Sequence, residues 1–257
     1  MLIAITREVS PNIGQCEITH IQRQPLDIDL ARTQHTQYER VLAELGCQVK
    51  RLPADSRLPD SVFVEDAAIV LDELAISTRP GAESRRGETE IIAGALGEYR
   101  TIRKIEPPGT LDGGDVLQMG RTLYVGISQR SNGSGRRQLV DLVSPYGYEV
   151  VEVRVDGCLH LKSAVTKVSE KALLINRSWV DARSFRGNDL IDIDPDEPYA
   201  ANALFVSGEL VYPATFRKTC KRLEDRGYSV RTVDVSELQK AEGAVTCCSL
   251  IFRSFMQ

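Results

Sequence analysis

Two rhythms of apolar and polar positions keep trading places along the chain. Over residues 27–46 the apolar side chains Leu30, Tyr38, Val41, Leu42 and Leu45 recur at helical spacing and stop at Gly46, which predicts a helix. Residues 2–6 and 47–52 on either side read as strands. Then FVEDAAIVLDELAIST, residues 63–78, reads as two strands around a tight turn near Asp72 and Glu73. The same order recurs. Ser84 is expected to cap a helix ending near Gly97, residues 101–105 form a strand, and LDGGDVLQMGRTLYVGIS forms a hairpin turning near Gly120. A third helix starts at Asn132 or Ser134 and stops at Gly147, followed by a strand over 148–155 and a hairpin in HLKSAVTKVSEKALLIN. Residues 178–187 predict a short or broken helix and 189–193 a strand, and AANALFVSGELVYP turns at Gly208. The last round has a helix over 214–227, a strand over 228–235, the short turn SELQK, and a closing strand from Thr246.

Hairpin units therefore begin near positions 62, 115, 159, 201 and 246, a period of roughly 45 residues, which calls for a radial or stacked repeat. The final unit has only one hairpin strand, and residues 2–6 are the strand left over. Pairing the two closes a ring of hairpin and helix units, as propeller-like folds do. An open α/β sheet is the alternative, but its strands and helices would alternate singly. We take residues 1–257 as a single catalytic α/β domain.

Composition narrows the partners. At 257 residues with 42% hydrophobic content, the chain is long enough to bury a core without staples. Its net charge of −4, from 32 basic and 36 acidic residues interspersed, argues against nucleic acid and for a small molecule. MLIAITREV is too short an apolar run for a signal peptide, and no segment approaches the ~20 apolar residues of a membrane span. A cytoplasmic protein with reduced thiols is expected, because its six cysteines lack framework spacing. No metal or cofactor is expected, since no pair matches a zinc spacing and the three histidines are far apart in sequence. A homodimer is allowed.

Candidate chemistry gathers where each hairpin begins. If residues 246–253 form a strand, Cys248, Leu250 and Phe252 share an apolar face and Cys247 and Ser249 share a polar one, which singles out Cys247. At corresponding positions stand Glu65 and Asp66, Asp112 and Asp115, His160 and Asn202. A thiol becomes a nucleophile when an imidazole manages its proton, and the imidazole needs a carboxylate to fix its tautomer; Cys247, His160 and Asp112 fit those roles. Two carboxylates in FVED are costly to bury unpaired, so they need a cation, here expected to come from the ligand. Arg85 and Arg130 lie just beyond second strands, where planar forks suit a carboxylate. Carboxylates at one end and arginines at the other suit an amino acid with a cationic side chain.

Through TREVS, QHTQYERVL, LPDSVFVEDAAIV, TRPGAESRR, LDGGDVL, GISQRSN, CLHLKSAV and EGAVTCCSL, nearly the whole chain resembles the dimethylarginine dimethylaminohydrolases of the pentein, or guanidine-modifying, superfamily. The resemblance implies a five-bladed α/β propeller. It also implies hydrolysis of dimethyl- or monomethylarginine to citrulline and a methylamine through a covalent cysteine thiouronium. By position it makes Cys247 the nucleophile, His160 the acid and base, and Asp112 the group orienting that histidine. Asp66 grips the guanidinium, Asp60 and Glu65 are further substrate ligands, Arg85 and Arg130 hold the α-carboxylate, and the backbone near Ile18 and Ala241 supplies lid and wall. Arginine and other guanidine deiminases of the superfamily share the catalytic set, and an amino-acid-binding propeller without turnover is the alternative of another class. An amide-cleaving cysteine hydrolase fits less well, because acyl transfer needs donors for an oxyanion and these carboxylates are acceptors for a cation.

Overall fold

The computed structural model describes residues 1–254. Among them, five three-stranded sheets repeat one plan, an antiparallel pair followed by a third strand that returns parallel to the second. The blades run β3 (Ala68–Val70), β4 (Leu74–Ser77) and β5 (Thr101–Lys104); β6 (Val116–Met119), β7 (Thr122–Ile127) and β8 (Glu149–Arg154); β9 (Val165–Lys167), β10 (Ala172–Ile175) and β11 (Asp189–Asp192); and β12 (Leu204–Val206), β13 (Glu209–Pro213) and β14 (Val230–Val233). The remaining blade joins both ends of the chain. There β15 (Leu250–Arg253) pairs antiparallel with β1 (Leu2–Arg7), Ile5 opposite Leu250, and β1 pairs in parallel with β2 (Cys47–Leu52). The expected ring closure by the N-terminal strand is what forms.

A parallel return needs a crossover. Helices α1 (Ile28–Glu44), α2 (Glu88–Leu96), α3 (Gly133–Val143) and α5 (Arg217–Asp225) supply four of them. The blade of β9, β10 and β11 crosses through a single 3-10 turn, Ala182–Phe185, where a short or broken helix was expected. On α1, Asp27 caps the first turn by accepting from Leu30 N, and Ala31, Tyr38, Val41 and Leu42 form the buried stripe. Gly46, at φ +88°, turns the chain into β2. The core is itself a ring, with apolar clusters between successive blades. Ile3 and Ile5 meet Ala75 and Ile92, Ile76 meets Val125 and Leu139, Val153 meets Leu173 and Phe185, Leu174 meets Tyr212 and Leu223, and Val211 meets Tyr38 and Cys248.

The inner strands begin later than the sequence pattern predicts. Most residues expected to open a strand sit instead on or at the cap of a turn before it: Val64–Ala67, Gly113–Asp115 capped by Asp112, the one-turn helix α4 (Leu161–Ala164) capped by His160, and the turn at residues 245–248, while Asn202 lies in the irregular link just before β12. A strand would commit their backbone N–H groups to its own ladder, whereas a turn frees them for the neighbouring blade. They make a closed circuit. Gly114 N donates to Asp66 Oδ1 (2.9 Å), Leu161 N to Asp115 Oδ1 (3.0 Å), Asn202 Nδ2 to Lys162 O (3.0 Å), Thr246 N to Asn202 Oδ1 (3.1 Å), and Glu65 N to Cys247 O (3.1 Å).

Other local expectations also change. Ser84 lies on a 3-10 turn, Glu83–Arg85, and donates to Glu17, while α2 starts later with Gly87 at its cap. Ser249 does not share polar space with Cys247, because strand alternation starts only after the turn; it is buried against the Tyr38 hydroxyl at 2.6 Å. Among the described residues no helix is long and apolar enough to cross a membrane.

Candidate active site

The blade-entry turns meet around a narrow cavity lined by Asp60, Phe63, Asp66, Arg85, Arg130, Leu159, His160, Ala241 and Cys247, with Glu17 and Glu242 at its rim. The space left inside is about 20 Å³, so the site is closed.

His160 is buried with its Nε2 2.9 Å from Asp112 Oδ2 and its Nδ1 3.8 Å from Asp66 Oδ1. Asp112 is held in turn by Gly81 N at 2.8 Å, so the orienting carboxylate is itself oriented. Burial opposes the charge on the ring, but Asp66, Asp112 and Asp115 outweigh it and raise the pKa of His160 to about 9. The imidazole is therefore protonated at neutral pH. Such crowding needs the two glycines of LDGGDV. A Cβ on Gly113 would lie 2.0 Å from Glu65 O, and one on Gly114 would lie 2.6 Å from Asp66 Oδ1 and 2.7 Å from His160 Nδ1.

The acidic pair in FVED finds its cations within the protein, which corrects the expectation that the ligand supplies them. Arg85 Nη1 donates to Asp66 Oδ2 (2.6 Å), and its other nitrogens reach Glu88 (3.1 and 2.9 Å) and the carbonyls of Asp60 and Phe63. Despite burial, His160 and Arg85 hold the Asp66 carboxyl well below the usual carboxylate range. Glu65 pairs with Lys162 Nζ at 2.6 Å and accepts from Thr246 Oγ1 at 2.8 Å. It lines not this cavity but the opposite mouth of the central channel.

The two cysteines part company as expected. Cys248 is wholly buried in the core, its thiol against Ala244 O, and Cys247 lines the cavity. Burial first, then the charges of Glu65 and Asp66, push the Cys247 thiol far above its ordinary pKa. At rest the site pairs a neutral thiol with an imidazolium. Asp66, Asp112 and His160 also bring three potential ligand atoms within 4.8 Å of one another, but each is committed to a partner already named, so the set reads as a proton-handling group.

At the other end lies a lid. Both Asp60 oxygens accept from Glu17 N (3.1 and 3.2 Å), Ser84 Oγ donates to Glu17 Oε1 (2.5 Å), and Arg130 Nη2 donates to Thr19 Oγ1 (3.0 Å). Ile18, between them, packs against the core and leaves the lining to its neighbour Glu17.

Known proteins share this chain's sequence and fold over most of its length. The N(G),N(G)-dimethylarginine dimethylaminohydrolase of Pseudomonas aeruginosa is 39% identical over 228 residues, 88% of this chain and 90% of that protein. The enzyme of that name from Streptomyces coelicolor is 38% identical over 251 residues, 97% and 96% of the two chains. A solved structure of DDAH from P. aeruginosa, a cysteine-to-serine variant complexed with citrulline, superposes with a TM-score of 0.92 at 35% identity, covering 97% of this chain and 98% of that one. The family model for N,N dimethylarginine dimethylhydrolase, eukaryotic, matches residues 19–252. The chain belongs to the dimethylarginine dimethylaminohydrolase family.

Against this family's expected site, the structure brings Asp60, Asp66, Arg85, Arg130, His160, Ala241 and Cys247 to one cavity, with Asp112 directly behind His160. Glu65 and Ile18 stand one step outside. Sequence reasoning passed over Glu88, whose spacing three residues after Arg85 was the available signal, and Phe63, Leu159, Glu17 and Glu242, which carried none.

Proposed function

We propose that this member of the family hydrolyses Nω-methylated L-arginine to citrulline and the corresponding methylamine, with Cys247 as nucleophile and His160 as acid and then base. The observation that carries the reading is opposite charge at the two ends of one closed cavity: Asp66 beside His160 and Cys247, and Arg130 beneath the lid. A planar cation suits the first and a carboxylate the second. Asp66 retains accepting capacity beyond Arg85 and Gly114, since a carboxylate has about four lone-pair sites. Arg85 also lines the cavity, with its guanidinium already shared between Asp66 and Glu88. Asp60 and Ala241 form the remaining walls, with Ile18 just outside them behind Glu17, and Glu65 acts through its field on Cys247.

The resting charges set the order of events. A guanidinium arriving between Asp66 and Cys247 offsets the carboxylates that hold the thiol proton, so the thiolate forms once substrate is bound and its proton goes to solvent. Sulfur bonds to the guanidinium carbon. The methylated nitrogen then departs as an amine, taking a proton from the His160 nitrogen that is not tied to Asp112. This leaves a cationic S-alkylthiouronium and a neutral imidazole. Water adds to the same carbon, His160 takes one of its protons, and the carbon–sulfur bond breaks to return the thiolate and leave O-protonated citrulline, which gives its remaining hydroxyl proton to solvent. One water is consumed for each citrulline and amine formed.

The same reading takes the protein as cytoplasmic, supported by six free thiols, and as acting on a small molecule rather than nucleic acid or membrane. It works as a single domain, because the hydrogen-bond circuit around the site draws on all five blades. Incubating wild type and Cys247→Ser with methylarginines, arginine, agmatine and amides, while reading citrulline, ammonia and methylamines, tests it. The variant should fold and form no citrulline. Preference for agmatine, which lacks the carboxylate, overturns the amino-acid reading, and unchanged turnover by the variant removes Cys247 from its role.

A further inference from the structure

Apolar packing of the lid skips Glu17, Thr19 and His20. Ile13 and Cys16 are buried in the cluster that holds Phe63 and Ala241, but Glu17 and Thr19 are exposed and His20 is half-buried. What holds these three residues down is polar, and the contact on Thr19 and His20 comes from across the cavity. Glu242 Oε2 accepts from Thr19 N and Oε1 from His20 N, each at 2.6 Å, so one carboxylate forks onto two consecutive amides.

The base of that fork is fixed. Glu242 adopts φ +57°, a left-handed backbone that a glutamate rarely takes. On one side of it Ala241 lines the cavity, and on the other Gly243 sits so close to Phe63 that a Cβ would lie 2.1 Å from the ring. The strained turn aims the side chain at the lid and leads directly to Cys247. The remaining side-chain contact on Thr19 comes from Arg130, whose Nη2 a substrate carboxylate would claim. Binding therefore loosens that contact and leaves the one to Glu242.

We propose that Glu242 is the latch of the lid, a positioning residue that holds Thr19 and His20 over the bound amino acid without touching the reacting atoms. The proposal rests on the reading of this cavity as an amino-acid site. It implies that Glu242 governs how long substrate stays, and that its loss raises KM more than it lowers kcat.

Two measurements test it. Amide hydrogen exchange on the ligand-free protein should show Thr19 and His20 exchanging about 10- to 100-fold faster in Glu242→Ala, the usual cost of losing charge-assisted hydrogen bonds, with the amides of β1 unchanged. Glu242→Gln, isosteric and still able to accept one bond, should fall between, and Glu242→Asn, which tolerates the left-handed backbone but is too short to reach, should match alanine. In steady-state turnover of methylarginine the same order should appear in KM. Unchanged protection of the two amides in Glu242→Ala and Glu242→Asn overturns the latch, as does a fall in kcat with KM unmoved. Exchange needs no substrate, so a wild type that fails to turn over methylarginine counts against the activity and leaves the latch separately decided.

Discussion

The two ends of the cavity are built by different means. At the reactive end, Asp66, Asp112, His160 and Cys247 stand on blade-entry turns, Asp66 and Cys247 bonded into the circuit that runs from blade to blade, and Asp112 is wholly buried. At the carboxylate end, Arg130 and residues 17–20 are held by side-chain bonds between loops, with Glu17 and Thr19 exposed. Atoms that must meet within a fraction of an ångström are fixed by the scaffold, while atoms that only recognise are carried on segments able to move. Changes at the first end should therefore alter kcat and its pH dependence, and changes at the second should alter KM.

The sharpest test of that division is Asp112→Asn. Asp112 is among the groups that raise His160 to about 9, so its neutralisation lowers that pKa and shrinks the imidazolium fraction at neutral pH. The alkaline limb of kcat/KM, expected near pH 9 in the wild type, should move to lower pH, and kcat should fall by about 10²- to 10⁴-fold. A limb that stays in place belongs to another group.

Next in size is the contrast between the arginines. Arg85→Ala strands Asp66 and Glu88 as buried carboxylates without their cation, a change that typically costs about 3–5 kcal/mol, and should lower Tm as well as activity. Arg130→Ala loses a fork that, among the described residues, bonds a single hydroxyl, so it should leave Tm near wild type and raise KM for methylarginine about 10- to 100-fold. Equal melting temperatures in the two variants erase the distinction. Smallest is Cys248→Ser, which should retain citrulline formation with a stability loss of about 1–3 kcal/mol from placing a hydroxyl among apolar groups, read by denaturant unfolding.

The blades were legible in the sequence because their period is long and glycines punctuate it: Gly46, Gly120, Gly147 and Gly208 all take positive φ where a stop or turn was expected. The entry turns were not, since a four-residue run such as Val64–Ala67 carries too few positions to separate one helical turn from the start of a strand. Cys247 and His160 were found by chemistry and by their place in the repeat, without the correct local backbone. The engagement of Arg85 was hidden because its partner Asp66 lies 19 residues away, and a spacing says nothing of which carboxylate a guanidinium will meet. Glu242 resembled any surface glutamate.

Closure of the ring by β15 on β1 bears on how the enzyme comes into being. One edge of β1 is covered by β2, but its other edge waits for β15, and the blade is complete only when Ser254 N can reach Met1 O at 2.8 Å. Cys247 lies on the turn that leads into that last strand. A chain in which β15 has not docked therefore holds His160 and its carboxylates without the nucleophile fixed beside them, so the reactive centre is completed only as the ring closes.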